Sequence, residues 1–240
     1  MAERSQKKVL IGCPTYSRYK YCIDEYLQSV KNIDHDHYDL LLVDNSPDDD
    51  FFRELKSKGV NIVKIAHCEP ARERITRSRN VLRDRVIDGG YDYFLSLEQD
   101  IIVRPDILKK LLSHNKDIVT AYYGNDMVLT VKHKQTGELK KVRLNLPLVY
   151  VKGSEGKIRR ANPKDVLKKG LVEVGAMGLG CVLISTEVLK KVKFRYDPKK
   201  KSFDDMYFCK DAKDAGYKLY IDGNAIVQHV HKRWDDVVER

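Results

Sequence analysis

Tyr91-Asp92-Tyr93-Phe94-Leu95-Ser96-Leu97-Glu98-Gln99-Asp100 passes from an apolar run straight into an acidic end. An apolar run of this length reads as a buried strand, and the two carboxylates stand where it stops. Three earlier runs have the same form: 9–13, ended by Pro14; 38–43, ended by Asp44-Asn45-Ser46-Pro47; and 61–66. Helical spacing separates them. Tyr19, Cys22/Ile23, Tyr26/Leu27, Val30 and Ile33 recur between the first two, and Ile75, Val81-Leu82 and Val86 recur ahead of Gly89-Gly90. Strands alternating with helices predict an α/β fold with a mostly parallel central sheet flanked by helices. In such sheets ligands bind beyond the carboxyl ends of the strands, so Thr15, Asp44 and the Glu98-Gln99-Asp100 triplet become candidates.

The middle of the chain changes character. Residues 128–134 and 139–144 flank Gln135-Thr136-Gly137-Glu138, and 149–152 and 157–160 flank Gly153-Ser154-Glu155-Gly156. Each reads as a hairpin, and together they form a basic insertion expected at the surface. The α/β pattern then returns: a strand over 180–185, a helix from Thr186, a helix from Asp204 to about Gly216, and short strands at 219–221 and 225–230.

The chain has 240 residues, 42% of them hydrophobic, enough to bury a full α/β core. Its seven prolines and fourteen glycines are scattered and no low-complexity run divides it, so a single domain over 1–240 is expected. Residues 1–8 lead directly into the first strand, which predicts no secretory signal. No apolar run approaches the roughly 20 residues that cross a bilayer. Five cysteines without a Cys-x-x-Cys pair argue against a disulfide framework and favour a reducing, cytoplasmic setting, with peripheral contact at the inner face of a membrane left open. The net charge of +10 attracts phosphate-bearing partners. Acids are threaded through the lysines, however, so much of that charge is a solvated surface.

Two carboxylates flanking one residue at a strand end can bear on one hard cation, which prefers oxygen ligands. Such triplets also end strands with no metal at all. Here the surrounding motifs decide. Val9-Leu10-Ile11-Gly12-Cys13-Pro14-Thr15-Tyr16-Ser17-Arg18 is similar to the opening strand and Pro-Thr-Tyr-Asn-Arg turn of the A-fold (GT-A) glycosyltransferases, in particular the inverting family 2. Leu41-Leu42-Val43-Asp44-Asn45-Ser46-Pro47-Asp48-Asp49 resembles that family's Val-Asp-Asp-Gly-Ser-x-Asp segment, and Arg77-Ser78-Arg79-Asn80 its Ala-Arg-Asn helix. Glu98-Gln99-Asp100 occupies the place of its Asp-x-Asp motif, with Glu for the first Asp. Gly175-Ala176-Met177-Gly178-Leu179-Gly180 resembles the small-residue segment on the acceptor side. Phe203-Asp204-Asp205-Met206-Tyr207-Phe208-Cys209-Lys210 resembles Glu-Asp-x-x-x-Cys-x-Arg, with Ala215-Gly216-Tyr217 following. The ordered set spans about 9–231, and the basic insertion has no counterpart in it.

The resemblance implies a GT-A nucleotide-diphospho-sugar transferase fold. A nucleotide-sugar-binding half covers about 9–125, the hairpin insertion about 126–165, and an acceptor and catalytic half about 166–231. It implies a Mn²⁺- or Mg²⁺-dependent enzyme using a UDP- or GDP-sugar, with a lipid phosphate, glycan or protein as acceptor. Asp100 would be a metal ligand, Glu98 a second ligand or a ribose contact, and His231, favoured over His229, a third ligand. Asp205 would be the general base and Asp204 would orient the acceptor or that base, although a helix N-terminus also favours such acids. Asp44 would contact the base, or serve only as a turn-forming residue. Thr15 would line the same pocket. Arg79 would approach the phosphates, or lie solvated on a charged helix. Trp234 would stack on a sugar or anchor the C-terminus.

Other classes fare worse. The Gly175/Gly178/Gly180 spacing precedes a strand and is no dinucleotide fingerprint, and no Gly-Lys-Ser/Thr loop exists. A sugar nucleotidyltransferase would carry a glycine-rich, arginine-containing loop where Pro14-Thr15-Tyr16-Ser17-Arg18 stands. A nucleic-acid-binding module would explain the charge but not acids at the ends of successive strands, and no nucleic-acid partner is expected.

Overall fold

A computed structural model describes residues 6–132, 137–153 and 157–230. Its first half is the predicted alternation: β1 (Val9–Thr15), α1 (Ile23–Lys31), β2 (Tyr38–Asp44), α2 (Asp50–Ser57), β3 (Ile62–Lys64), α3 (Ala71–Asp88) and β4 (Tyr93–Leu97). A 3₁₀ turn over Ser17–Cys22 replaces the start of the predicted first helix. Strands β1 to β4 are all parallel, with β1 between β2 and β4. Thr15 stands opposite Asp44, so the polar ends of these strands lie at one edge.

Beyond them come β5 (Ile101–Ile102), α4 (Ile107–Ser113) and β6 (Ile118–Tyr122). The insertion follows as β7 (Gly124–Lys132), β8 (Leu139–Pro147), β9 (Val149–Lys152) and β10 (Ile158–Arg160). The chain then runs through α5 (Pro163–Val166), β11 (Leu171–Val174), β12 (Ala176–Met177), β13 (Cys181–Ser185), α6 (Thr186–Lys191), α7 (Asp204–Asp214), β14 (Leu219–Ile226) and β15 (Gln228–His229). The main sheet has eight strands in the order β11-β14-β6-β13-β4-β1-β2-β3. Only β11 and β13 run against the other six, so the sheet is mostly parallel.

Neither α2 nor the central strand β6 was legible as an element. The short strand expected at 219–221 is longer, β14, with an irregularity between Asp222 and Ile226, and the one expected at 225–230 is divided between the end of β14 and the separate β15. The first hairpin is longer than expected, with β7 and β8 paired over nine residues each; residues 133–136 of its turn and 154–156 of the second lie outside the described residues. The second hairpin does not protrude. Strand β9 pairs with β10 on one side and β12 on the other, and Val149 and Val151 enter the core. The β7–β8 hairpin forms a two-stranded sheet of its own, as does the short β15–β5 pair.

Both faces of the main sheet are covered, which is why its strands are continuously apolar rather than alternating. Along β1, Leu10 joins the core under α3, α6 and α7, while Val9 and Ile11 join the core under α1, α2 and α4. A Cβ on Gly12 would come within 2.5 Å of Phe94 and 2.8 Å of Leu82, so glycine is what lets α3 settle on β1 and β4. The five cysteines are free thiols, four of them buried. Among the described residues no helix is long and apolar enough to cross a membrane.

Candidate functional site

Two cavities, of about 330 Å³ and about 370 Å³, meet beyond the carboxyl ends of β1 and β4. Tyr19, Ile75, Glu98, Asp100 and Phe203 line both, so the triplet that ends β4 forms their common wall. The first cavity continues to Asp205, Tyr123, Asn125, Leu148 and His229, and the second to Tyr16, Arg18, Asn45, Arg74 and Gln99.

The triplet is held by its backbone. Glu98 N–H donates to the Gly180 carbonyl at 2.8 Å, and Ile101 N–H donates back to Glu98 O at 3.0 Å, closing a turn. Gln99 points inward: its Oε1 accepts the Tyr16 N–H at 3.1 Å and fixes the turn after β1. Its Nε2 is buried without a partner, as is Nε of Arg74 in the same cavity. A buried donor left unpaired costs stability, so these two mark positions where a polar ligand would compensate the fold.

Arg79 is the centre of the charge arrangement. It is 2% exposed, and its Nη1 donates to both oxygens of Asp204 at 2.8 Å while Nη2 donates to Glu98 at 2.5 Å. The arginine therefore clamps the end of β4 to the start of α7. Its burial overturns the solvated alternative, while the side chain still lines the first cavity and its Nε is left without a partner. Asp204 is the first residue of α7, where the helix N-terminus favours an acid, and Arg79 holds its side chain there. Asp205 follows with Oδ1 accepting the Met206 N–H at 2.6 Å. Burial and the charge of Asp204 push its pKa above the usual aspartate value, with Arg79 acting against them. Burial likewise raises Glu98, opposed mainly by Arg79.

On the far side of the triplet, β15 pairs with β5 and places His229 opposite Ile101. The ring bridges two groups: Nδ1 lies 3.1 Å from the Gly124 carbonyl, to which only an N–H can donate, and Nε2 lies 3.2 Å from Asp100 Oδ2. Burial lowers the His229 pKa, but Asp100 and Glu98 outweigh it and the net shift is upward. Tyr123 packs edge-on against that ring at 5.7 Å, and its hydroxyl accepts the Gly180 N–H at 2.9 Å. A Cβ on Gly178 or Gly180 would stand 2.7 or 2.8 Å from that hydroxyl, which accounts for the small-residue segment.

Four carboxylates of the first cavity (Glu98, Asp100, Asp204 and Asp205) face Arg79 as the one arginine there, an acidic excess that suits a cation. With Nδ1–H committed to a carbonyl, the neutral His229 ring would turn its Nε2 lone pair towards Asp100, giving one nitrogen and one carboxylate donor side by side. The donor set fits a divalent metal in chemistry. It is incomplete in number, since no group of three such residues able to hold a metal occurs among the described residues. His231 and Trp234 lie outside them.

Two expected nucleotide contacts are withdrawn from the surface. Asp44 is fully buried: Oδ1 accepts the Ser46 N–H and hydroxyl at 3.1 and 2.6 Å, and Oδ2 accepts Lys64 Nζ at 2.8 Å. The turn-forming role is the one seen, and Asn45 rather than Asp44 reaches the cavity. Thr15 is also fully buried, its carbonyl accepting Asn45 N–H at 3.0 Å. Sequence reasoning passed over Tyr16, whose ring lies 4.8 Å from the Arg74 guanidinium and 6.3 Å from the His67 ring. It also passed over Phe203, an exposed aromatic on the wall shared by both cavities.

No family model and no curated protein matches the sequence. Solved structures do. Residues 1–349 of S. aureus TarS in complex with UDP-GlcNAc align over 96% of this chain and 60% of that one, at 17% identity and a TM-score of 0.59. A second structure of the same fragment aligns over 93% and 60% at 0.58. A longer TarS chain aligns over 93% and 37% at 0.57, again with 17% identity in both cases. The chain thus spans 60% or less of the TarS chains it matches. The shared architecture is the GT-A glycosyltransferase fold.

Proposed function

We propose that this chain is a metal-dependent glycosyltransferase that transfers a sugar from a nucleoside-diphosphate donor to an acceptor hydroxyl or phosphate, with inversion. The observation that carries the reading is the shared wall: Glu98 and Asp100 border both cavities, and Asp205 borders only one. A donor whose nucleoside fills the Tyr16 cavity puts its diphosphate at the triplet and its sugar at the junction. The UDP-GlcNAc bound to the TarS fragment of like fold supports a nucleotide sugar as that donor.

The nucleoside end would be held by Tyr16, stiffened by Arg74, and by the unpaired donors of Gln99 and Arg74. An acceptor in the other cavity would meet Asp205. Its carboxylate takes the proton of the acceptor hydroxyl as that oxygen bonds to the anomeric carbon and the bond from that carbon to the phosphate oxygen breaks. The bonding pair leaves with the nucleoside diphosphate. Asp100 and His229 would hold Mn²⁺ or Mg²⁺, which supplies positive charge to the departing diphosphate. Arg79 fixes Glu98 and Asp204, and through them the spacing between triplet and base.

Release of nucleoside diphosphate from a panel of UDP- and GDP-sugars tests this reading. One donor should be turned over, with or without added acceptor, and only with divalent metal; Asp100→Ala should lower the rate by two orders of magnitude or more, about the scale set by removing one charge-stabilising group. No turnover with any donor, or turnover indifferent to both metal and Asp100→Ala, would overturn it.

A further inference from the structure

Between Gly124 and Arg160, nine lysines and arginines face three acids, so this segment supplies most of the excess positive charge of the chain. It also holds four of the exposed large hydrophobic side chains: Leu139 at 69% exposure, Val128 at 64%, Ile158 at 45% and Leu144 at 38%. The β7–β8 hairpin pairs with no other strand among the described residues. An isolated two-stranded ribbon with apolar side chains in water gains little from folding alone, so its exposed face needs a partner to be favourable.

We propose that the β7–β8 hairpin docks the protein on an anionic lipid surface. Exposed Lys140 and Lys141 adjoin exposed Leu139, and Val128 lies further along the pairing strand. Cationic and aliphatic groups interleaved in this way match a bilayer interface, where lysines meet anionic headgroups and aliphatic side chains enter the acyl boundary. A nucleic acid would use the charge but not the aliphatic side chains, and no aromatic residue stands on β7 or β8 to stack on bases. The ribbon is also joined to the site. Asn125 pairs with Leu146, β8 runs on into Leu148, and both Asn125 and Leu148 line the Asp205 cavity. The cavity assigned to the acceptor therefore lies at the root of the docking element. Docking itself does not depend on sugar transfer; the consequence, an acceptor presented at the bilayer, rests on that reading.

Co-sedimentation of the full chain with phosphatidylcholine vesicles containing about 30% phosphatidylglycerol tests the proposal. Binding is expected at low salt and should weaken as salt is raised. Lys140→Glu with Lys141→Glu should weaken it at least about tenfold, and Val128→Ser with Leu139→Ser should also weaken it at fixed charge. Nucleoside-diphosphate binding should be unchanged in both variants, because none of the four residues lines either cavity. That keeps a failed docking result distinct from a failed donor site. Absence of vesicle binding, equal binding by the variants, or a lipid-free dimer lost in the same variants would each overturn the proposal. So would displacement of bound vesicles by RNA at equal phosphate concentration.

Discussion

Asp205→Asn is expected to reduce sugar transfer by about 10²–10⁴-fold, the usual worth of a positioned general base, while leaving nucleoside-diphosphate binding nearly intact. The separation follows from geometry: Asp205 lines the acceptor cavity and is absent from the Tyr16 cavity. Its pH signature follows from environment. Burial and Asp204 raise its pKa, and a base works only when ionised, so kcat/KM should fall as pH drops through that raised value. The wild-type acid limb should therefore lie above the ordinary aspartate range, and the residual activity of Asp205→Asn should lack that limb. Steady-state rates against pH, beside calorimetric binding of the nucleotide, check both halves. Parallel loss of binding and rate would instead mark Asp205 as structural.

Arg79→Met should be the most destabilising single change at the site. It would leave Asp204, 1% exposed at the side chain, and Glu98 without their shared cation. Removing one partner of a buried ion pair costs about 3–5 kcal/mol because the remaining charge stays desolvated. Urea unfolding should show that loss. Arg79→Met with Asp204→Leu should recover much of the stability, since an apolar pair avoids the stranded charge. Activity should not return with it, because Glu98 would still lack its anchor. A single variant as stable as wild type would mean that the clamp contributes little.

Much of the sheet could be read from continuous apolar runs, because strands buried on both faces leave that trace. Strand β6 escaped although Ile118-Val119-Thr120-Ala121-Tyr122 is fully buried: it follows α4 closely and leads into the hairpin without a turn signal. Strand β13 was read at 180–185, but its antiparallel direction was not, since direction within a sheet depends on what the insertion does before it. At the site, Asp100, Glu98, Asp204 and Asp205 do converge. Arg79 was legible in part, because Ile75, Arg79, Leu82 and Val86 fall at helical spacing and an arginine on an apolar stripe must be buried with partners. Which carboxylates it meets is set by a contact 125 residues away in sequence, and no local pattern encodes that. Asp44 shows the reverse case: its turn was read, but Lys64 and Ser46 had already used its oxygens.

Calorimetric titration of UDP and GDP into the full chain, with and without Mn²⁺, tests the shared-wall donor site most directly. One nucleotide should bind at a single site, more tightly with metal. That metal dependence should vanish in Asp100→Ala, and affinity should fall in Tyr16→Ala by roughly the 1–3 kcal/mol that an aromatic stacking platform contributes. Binding of neither nucleotide, or binding that ignores Mn²⁺, Asp100 and Tyr16 alike, would contradict it.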